Sequence, residues 1–340
     1  MRILMVTDAW RPQINGVVHT LERLSQTLLG FGVETDFLTP AGFRTLPLPT
    51  YPDIRLALTT PRNVARLVED RRADHVHIVT EGPLGIMARR HCLATGRPFT
   101  TSYHTRFPEY LSARLPVPED WAYRFLRGFH NSGAGCLVAT QSLADDLAAR
   151  GFTKLRPWTR GVDTEHFRPD RPSGLDLPRP IFLCVGRVAV EKNLPAFLDL
   201  DLPGSKVVVG EGPELARLRE KYPRAHFLGR RSNEELPSLY AAADVFVFPS
   251  RTDTFGNVII EALASGTPVA AFPVTGPIDI IGDGVAGAVS QDLREAALAA
   301  LAIDRAEARK RALRYSWNAC AEMFLDAVNT ALATRPKLAA

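Results

Sequence analysis

The chain has 340 residues, of which 46% are hydrophobic and 23% charged, with a formal net charge of +4. This length exceeds one ordinary domain and fits two, each large enough to bury its own core. No apolar run reaches the ~18 residues of a spanning helix, and the apolar start of the chain becomes polar at Thr7 and Asp8, too early for a signal peptide. These features argue against an integral membrane protein and predict a cytoplasmic one.

Charge is unevenly placed along the chain, whereas the cysteines are scattered. Residues 1–172 carry a net charge of +5 and residues 173–340 a net charge of −1. A surplus of this size hints at an anionic partner, but the excess is modest and is better explained by ordinary solvated surface. The four cysteines form no Cys-x-x-Cys pair, which predicts buried thiols instead of a zinc site or a disulfide frame.

The first half of the chain alternates strand and helix patterns. Short apolar runs predict strands at 2–7, 33–38, 54–58, 75–79, 99–103 and 135–140, and helical spacing of apolar residues predicts helices at 17–31, 63–71 and 84–94. Such alternation predicts a doubly wound parallel sheet, in which ligands bind beyond the carboxyl ends of the strands. The loop with Asn15 and Gly16 and the segment that begins at His104 therefore lie where a ligand would lie, although a plain turn and a structural histidine are the alternatives.

The segment 103–129 interleaves aromatic residues with four arginines: Arg106, Arg114, Arg124 and Arg127. Trp121, Phe125 and Phe129 recur every four residues, which predicts one helical stripe that packs on the domain core. The proline-containing stretch 106–118 is predicted to be exposed and irregular, and its aromatic and basic composition suits a membrane surface.

The run 161–180 is rich in Pro, Gly and Asp and is the best linker in the chain. It predicts an N-terminal domain of residues 1–172 and a C-terminal domain of residues 173–314, followed by a helical pattern at about 315–333. Strand patterns recur in the second domain at 181–185, 206–209, 226–228, 245–248 and 269–272. Only 13 residues separate Lys192 from Lys206, which predicts a reduced crossover helix.

Residues 245–264 read as a buried strand, a polar turn and a helix. Asp253 lies in the turn and Glu261 eight residues later, just over two helical turns, so both can face one cleft. Unpaired amides at the helix start predict an anion site; they belong to Phe255, Gly256, Asn257 and Val258. An anion with hydroxyls nearby, between two acids, suggests a sugar diphosphate. In the alternative interpretation, Asp253 caps the helix and Glu261 is solvated.

Two further loops follow predicted strands. Gly186, Arg187 and Lys192 follow the strand at 181–185, where two fixed cations and backbone amides would stabilise a departing diphosphate. Gly210 and Gly212 follow the next strand and would let the backbone approach a nucleotide. A charged surface turn and a tight turn are the alternatives.

Three spacings carry a family resemblance: Asp253-x7-Glu261, Gly186-Arg187-x4-Lys192 and Gly161-Val162-Asp163-x3-Phe167. They resemble the retaining nucleotide-sugar glycosyltransferases of family four, the large bacterial group 1 family that includes glycolipid transferases. The resemblance implies an α/β protein of the GT-B fold, with two Rossmann-like doubly wound parallel-sheet domains facing a central cleft. The last helix, about 315–333, would join the N-terminal, acceptor-binding domain.

The resemblance also implies roles for the candidate residues. Glu261 would hold the donor ribose, and Asp253, which stands where the family usually has Glu, would lie against the donor sugar. His104 would contact that sugar from the opposite domain, and Arg187 and Lys192 would bind the leaving diphosphate. Asn15-Gly16 resembles the Gly-Gly of the family, with one glycine replaced.

The activity implied is metal-independent transfer of a hexosyl unit, with retention, from a nucleoside diphosphate sugar to a lipid of the diacylglycerol type or to a glycan. The donor serves as substrate and no cofactor is expected. No carboxylate pair stands out for double displacement. The family resemblance implies front-face attack assisted by the departing phosphate. An anionic membrane surface, at the inner face of the cell membrane, is a further expected partner and nucleic acid is not; the oligomeric state is left open. The alternatives are a sugar-nucleotide epimerase, a phosphorylase and a non-catalytic nucleotide-sugar-binding module.

Overall fold

A computed structural model describes residues 1–11, 16–48, 51–112, 118–172 and 174–334. Its contacts divide the chain into two compact units. The first comprises Met1–Thr159 with Trp317–Ala340, and the second comprises Arg160–Ser316. The division at residue 159 lies just before the linker-like run, and the C-terminal helix belongs to the first unit.

The strands in chain order are β1 Arg2–Val6, β2 Glu34–Leu38, β3 Arg44–Leu48, β4 Tyr51–Leu58, β5 His75–Ile78, β6 Phe99–Tyr103, β7 Gly135–Val138, β8 Leu155–Pro157, β9 Ile181–Val185, β10 Ser205–Val209, β11 His226–Gly229, β12 Val245–Phe248, β13 Val269–Ala271 and β14 Gly287–Val289. The first unit holds a sheet of order β2-β1-β5-β6-β7-β8, and the second a sheet of order β11-β10-β9-β12-β13-β14. Every pairing within these two sheets is parallel, as the alternation of strands and helices predicts.

The helices in chain order are α1 Gly16–Gly30, α2 Pro61–Asp70, α3 Pro83–Ala94, α4 Phe107–Ser112, α5 Glu119–Asn131, α6 Gln141–Ala149, α7 Pro195–Leu198, α8 Leu215–Lys221, α9 Leu236–Ala242, α10 Asn257–Ala264, α11 Pro277–Ile281, α12 Leu293–Ala300, α13 Arg305–Ala312 and α14 Trp317–Ala333. The four-residue α7 confirms the reduced crossover helix. No helix in the described parts of the chain is long and apolar enough to cross a membrane.

The apolar face of α1 is buried at Leu21, Leu24 and Leu28, in one cluster with Phe324 and Val328 of α14. Burying each such side chain contributes ~1.5–3 kcal/mol, which explains why the C-terminal helix belongs to the first unit. The indole N–H of Trp158 also donates to the Cys320 carbonyl of α14, at 3.1 Å. All four cysteines are buried free thiols, as predicted.

Residues 54–58 do not join the parallel sheet, contrary to the sequence prediction. They belong to β4, which pairs antiparallel with β3 in a separate two-stranded sheet. Ala57 is buried, whereas Leu58 is 53% exposed. A strand covered on one face alternates in this way, whereas the central strands of a parallel sheet are buried on both faces.

The aromatic stripe of α5 does not pack on the core as predicted. Phe129 is 2% exposed, but Phe125 is 47% and Trp121 65% exposed. The reason is geometric: a four-residue step advances about 400° around a helix of 3.6 residues per turn, so each step drifts about 40°. Across two steps the stripe rotates from solvent towards the buried face, and only Phe129 reaches it.

Candidate active site

The second sheet reverses its direction of growth between β9 and β12. From β9 the chain adds β10 and then β11 on one side, and it returns to place β12, β13 and β14 on the other side. Loops that leave the carboxyl ends of β9 and β12 therefore diverge and open a crevice. Ligands of open α/β sheets bind at such a switch point.

Lys192 and Asp253 meet at this switch point. Lys192 ends a short 3-10 turn that follows β9, and Asp253 lies in the turn that follows β12. The Lys192 ammonium nitrogen lies 2.6 and 2.9 Å from the two Asp253 carboxylate oxygens. Their side chains are 28% and 18% exposed, so both reach the surface of the crevice. The ion pair therefore places both charges at the crevice.

Hydrogen bonds from side chains to backbone carbonyls hold these two loops together. The Asn193 side-chain amide donates to the Pro249 carbonyl at 3.0 Å, and the Ser250 hydroxyl donates to the Glu191 carbonyl at 3.4 Å. Asn193 adopts a left-handed conformation with φ of 52°, which asparagine tolerates better than most residues. Lys192 and Asp253 therefore lie on two loops that are hydrogen-bonded to each other.

Helix α10 begins at the crevice without a side-chain cap. Its N-cap is Gly256, with φ of 90° and no capping side chain, so the alternative in which Asp253 caps the helix is wrong. Phe255 is buried and packs edge-on against Tyr315 with ring centroids 5.9 Å apart. That packing positions the backbone whose amides, from Phe255 to Val258, are predicted to bind an anion. Their binding role stays a prediction.

Glu261 lies on the second turn of α10 and is not a solvated surface residue. Its carboxylate accepts a hydrogen bond of 2.9 Å from the Tyr240 hydroxyl of α9. Burial raises the pKa of Glu261 to about 7, and the Tyr240 hydrogen bond opposes this rise. A carboxylate whose charge changes near neutral pH is typical of a functional site.

Gly210 and Gly212 have a clear packing role. A Cβ on Gly210 would lie 1.9 Å from the Gly186 carbonyl oxygen, and a Cβ on Gly212 would lie 2.2 Å from that of Val188. These glycines therefore let the loops after β9 and β10 lie backbone to backbone. Whether Gly186, Gly210 and Gly212 also approach a donor stays a prediction, and so does the role of Arg187, which is exposed at the carboxyl end of β9.

The remaining candidates lie in the first unit, so they are described apart from Lys192 and Asp253. His104 directly follows β6, is partly buried, and packs edge-on against Trp158 with ring centroids 5.7 Å apart. Gly16 is the first residue of α1. Asn15 lies outside the described residues.

Asp8 is a site feature that the sequence analysis missed. It follows β1 at the switch point of the first sheet, where it accepts hydrogen bonds from the Leu84 amide at 2.9 Å and the Thr80 hydroxyl at 3.0 Å. Burial raises its pKa, although these hydrogen bonds act in the opposite direction. The carboxylate thus occupies the N-terminus of α3. The sequence does show an acidic residue directly after β1. It does not show the hydrogen-bond partner of that residue, the Leu84 amide, which lies 76 positions away.

Comparison with known families assigns both halves of the chain. The family described as "Glycosyltransferase Family 4" matches residues 14–166. The family described as "Glycosyl transferases group 1" matches residues 179–306. The structure of Anabaena Alr3699/HepE in complex with UDP and glucose has the same fold, with a TM-score of 0.72 and 17% identity over 96% of this chain and 99% of that chain.

Two curated relatives illustrate the sequence similarity. A GDP-mannose-dependent alpha-mannosyltransferase of Mycobacterium tuberculosis is 30% identical over 83% of this chain and 81% of the relative. An alpha-monoglucosyldiacylglycerol synthase of Streptococcus pneumoniae is 26% identical over 88% of this chain and 78% of the relative.

The two parallel-sheet units and the crevice at the β9–β12 switch point define a glycosyltransferase of the GT-B fold. The chain belongs to glycosyltransferase family 4, the group 1 glycosyl transferases. These matches support glycosyl transfer and do not support the epimerase, phosphorylase or non-catalytic alternatives.

Proposed function

We propose that the protein transfers a hexosyl unit, with retention, from a nucleoside diphosphate sugar to a hydroxyl of a membrane lipid or glycan. The observation that carries the proposal is the Lys192–Asp253 pair at the switch point, close in sequence to the uncapped start of α10. A fixed cation beside free helix amides suits a diphosphate, and a carboxylate beside it suits sugar hydroxyls.

Lys192 is assigned to the leaving group. Its ammonium nitrogen carries a positive charge at the crevice, 2.6 and 2.9 Å from the two Asp253 carboxylate oxygens. We assign this charge to the phosphate oxygens of the donor, with Arg187 as the second cation. As the bond between the anomeric carbon and the phosphate oxygen breaks, negative charge gathers on the diphosphate. A fixed cation stabilises that charge without reorganising.

The acceptor hydroxyl then attacks the anomeric carbon from the face that the diphosphate leaves. Its proton passes to the departing phosphate oxygen, so no separate carboxylate base is required. Asp253 accepts hydrogen bonds from donor sugar hydroxyls, and Glu261 accepts hydrogen bonds from the ribose. His104 is assigned to the donor sugar on the family resemblance alone.

The printed names of the relatives support the substrate classes. One relative is GDP-mannose-dependent and another synthesises a glucosyl diacylglycerol. GDP-mannose is therefore the first donor to test, and diacylglycerol is the first acceptor.

Purified protein incubated with GDP-mannose or UDP-glucose and diacylglycerol in mixed micelles is expected to form a glycosylated lipid, detected by mass spectrometry. NMR of the product should show the anomeric configuration of the donor. A soluble glycan acceptor and micelles without acceptor are the controls. An inverted product, or a panel of nucleotide sugars that gives no transfer to any acceptor, would contradict the proposal.

We further propose that the exposed face of α5 contacts the membrane that holds the lipid. Trp121 and Phe125 lie four residues apart on this face, with Arg124 between them. Exposed aromatic residues mixed with arginine are typical of helices that lie in a lipid interface, although Glu119 and Asp120 in the first turn oppose binding to anionic lipid. We propose the inner face of the cell membrane as the site of this contact.

Arg106 is not part of that surface, and the prediction of an irregular, exposed segment at 106–118 is wrong for Arg106, which is largely buried, and for Phe107–Ser112, which forms the helix α4. Its guanidinium lies 2.9 Å from carboxylate oxygens of both Glu109 and Asp146, and its side chain is only 12% exposed. It therefore stabilises the packing around α4, α5 and α6. Arg114 lies outside the described residues. A variant that tests lipid contact should leave Arg106 unchanged.

Replacing both Trp121 and Phe125 with alanine is expected to weaken binding to anionic vesicles about tenfold or more, since both aromatic side chains are lost from the interface. The measurement is co-sedimentation with anionic and neutral vesicles at low and high salt. Leu29→Ala is a matched control, because Leu29 is 62% exposed on α1 of the same unit. Equal vesicle binding by the double variant and the wild type would contradict this surface.

A further inference from the structure

Tyr240 is a buried tyrosine whose hydroxyl reaches a candidate donor-binding acid. Its side chain is fully buried, and its ring packs between Phe167 and Phe246, with centroid distances of 5.8 and 5.6 Å. Its backbone carbonyl accepts a hydrogen bond of 2.6 Å from the Thr267 hydroxyl. The contacts with Phe167 and Phe246, and not the backbone bond to Thr267, hold the ring in the orientation that directs its hydroxyl at Glu261.

The hydrogen bond occupies only one oxygen of the Glu261 carboxylate. Tyr240 donates to Oε2 at 2.9 Å, and within the described part of the chain it is the one side chain that donates to this carboxylate. A carboxylate with one oxygen held by a rigid donor keeps a fixed plane, and its other oxygen remains able to accept a ligand hydroxyl. The same bond favours the ionised carboxylate in a buried place.

We propose that Tyr240 is a positioning residue for donor recognition, which holds Glu261 in the orientation and charge state that bind the ribose hydroxyls. This inference rests on the proposed function and deepens it. Tyr240 itself contacts no donor atom in this scheme. It acts through Glu261.

Other ionisable groups near α10 have partners of their own. The guanidinium groups of Arg305 and Arg309 on α13 donate to the backbone carbonyls of Ala243 and Phe167, at 2.7 and 3.1 Å. Asp279 of α11 accepts from the Gly276 amide at 3.4 Å, and β12 and β13 contain no ionisable residue. Burial is thus the main influence on the pKa of Glu261, and the Tyr240 hydrogen bond is the interaction that opposes it.

The test compares GDP and UDP with their 2′,3′-dideoxy analogues by calorimetry. Tyr240→Phe keeps the ring and removes the hydroxyl, so it is expected to weaken binding of the ribonucleotide about fivefold to tenfold and to leave the dideoxynucleotide unaffected. Glu261→Gln should reduce the same ribo-to-dideoxy affinity ratio. The double variant should lose no more than the single ones, because both changes remove one interaction.

The pH profile of the affinity ratio is a second readout. An ionised carboxylate accepts stronger hydrogen bonds than a protonated one, so the wild-type ratio should rise with pH through about 7, the pKa of Glu261. Because the Tyr240 bond lowers this pKa, Tyr240→Phe should move the midpoint to higher pH. Taking the ratio cancels the titration of the nucleotide phosphates.

Thr267→Val is a matched structural control. It removes the buried hydrogen bond to the Tyr240 carbonyl and should lower the melting temperature without changing the affinity ratio. If Tyr240→Phe, like Thr267→Val, leaves the affinity ratio unchanged while Glu261→Gln lowers it, the Tyr240 inference is overturned. The ribose role of Glu261 then survives. If the wild type binds both nucleotides equally, the ribose role fails as well.

Discussion

Lys192→Ala is expected to lower kcat about 10²-fold or more, the size of loss seen when one preorganised charge partner of a transition state is removed. The reason is that the leaving diphosphate gains charge next to the Lys192 ammonium, and the variant keeps only Arg187 and the α10 amides to stabilise that charge. Folding should change little, because the Lys192–Asp253 pair is partly exposed. Steady-state kinetics and thermal unfolding measure the two effects.

Lys221→Ala is the matched control for the loss of one positive charge. Lys221 is 53% exposed at the end of α8, in the same unit but away from the strand ends that form the crevice. Its substitution should leave kcat unchanged. The Lys192→Ala variant should also lose more affinity for a nucleoside diphosphate than for a nucleoside monophosphate. A Lys192→Ala enzyme with near-normal kcat would remove this residue from the mechanism.

Asp253→Asn is expected to lower kcat about tenfold to 10²-fold, and to reduce it more than Asp253→Glu does. Asparagine keeps the shape but loses the negative charge, and hydrogen bonds to a charged acceptor are roughly twice as strong as neutral ones. Glutamate keeps the charge and restores the longer acid that the family usually has at this position. Kinetics at saturating donor measure the difference, and equal small losses in both variants would exclude a sugar contact.

Because Asp253 is paired with Lys192, a loss of activity in Asp253→Asn has two possible explanations. Affinity measurements can distinguish them. If Asp253 only orients Lys192, then Asp253→Asn should weaken binding of the nucleoside diphosphate, which has no sugar. If Asp253 contacts the sugar, affinity for the diphosphate should persist while kcat falls. We expect the second result, because Asp253 follows the strand next to β9 and lies directly at the crevice.

Local sequence patterns predicted the elements that depend on neighbours along the chain. The alternation of strands and helices indicated two parallel-sheet domains, and the short spacing between Lys192 and Lys206 indicated the reduced helix α7. The ends of strands can be predicted for the same reason. An apolar run that stops at a glycine or a charged residue marks where the backbone leaves the sheet. The candidate loops after β9, β10 and β12 were located in this way.

Pairings between distant segments were decided by the tertiary structure. Asp253 and Lys192 are separated by 61 positions, and no local period shows that they form an ion pair. Tyr240 reads as an ordinary helix residue until α9 packs beside α10 and brings its hydroxyl to Glu261. Small rotations matter equally: a drift of about 40° per four residues leaves Trp121 in solvent and buries Phe129. The sequence alone thus determined the order of the elements and their chemistry, whereas packing determined which side chains meet, because contact depends on three-dimensional register that local periodicity does not encode.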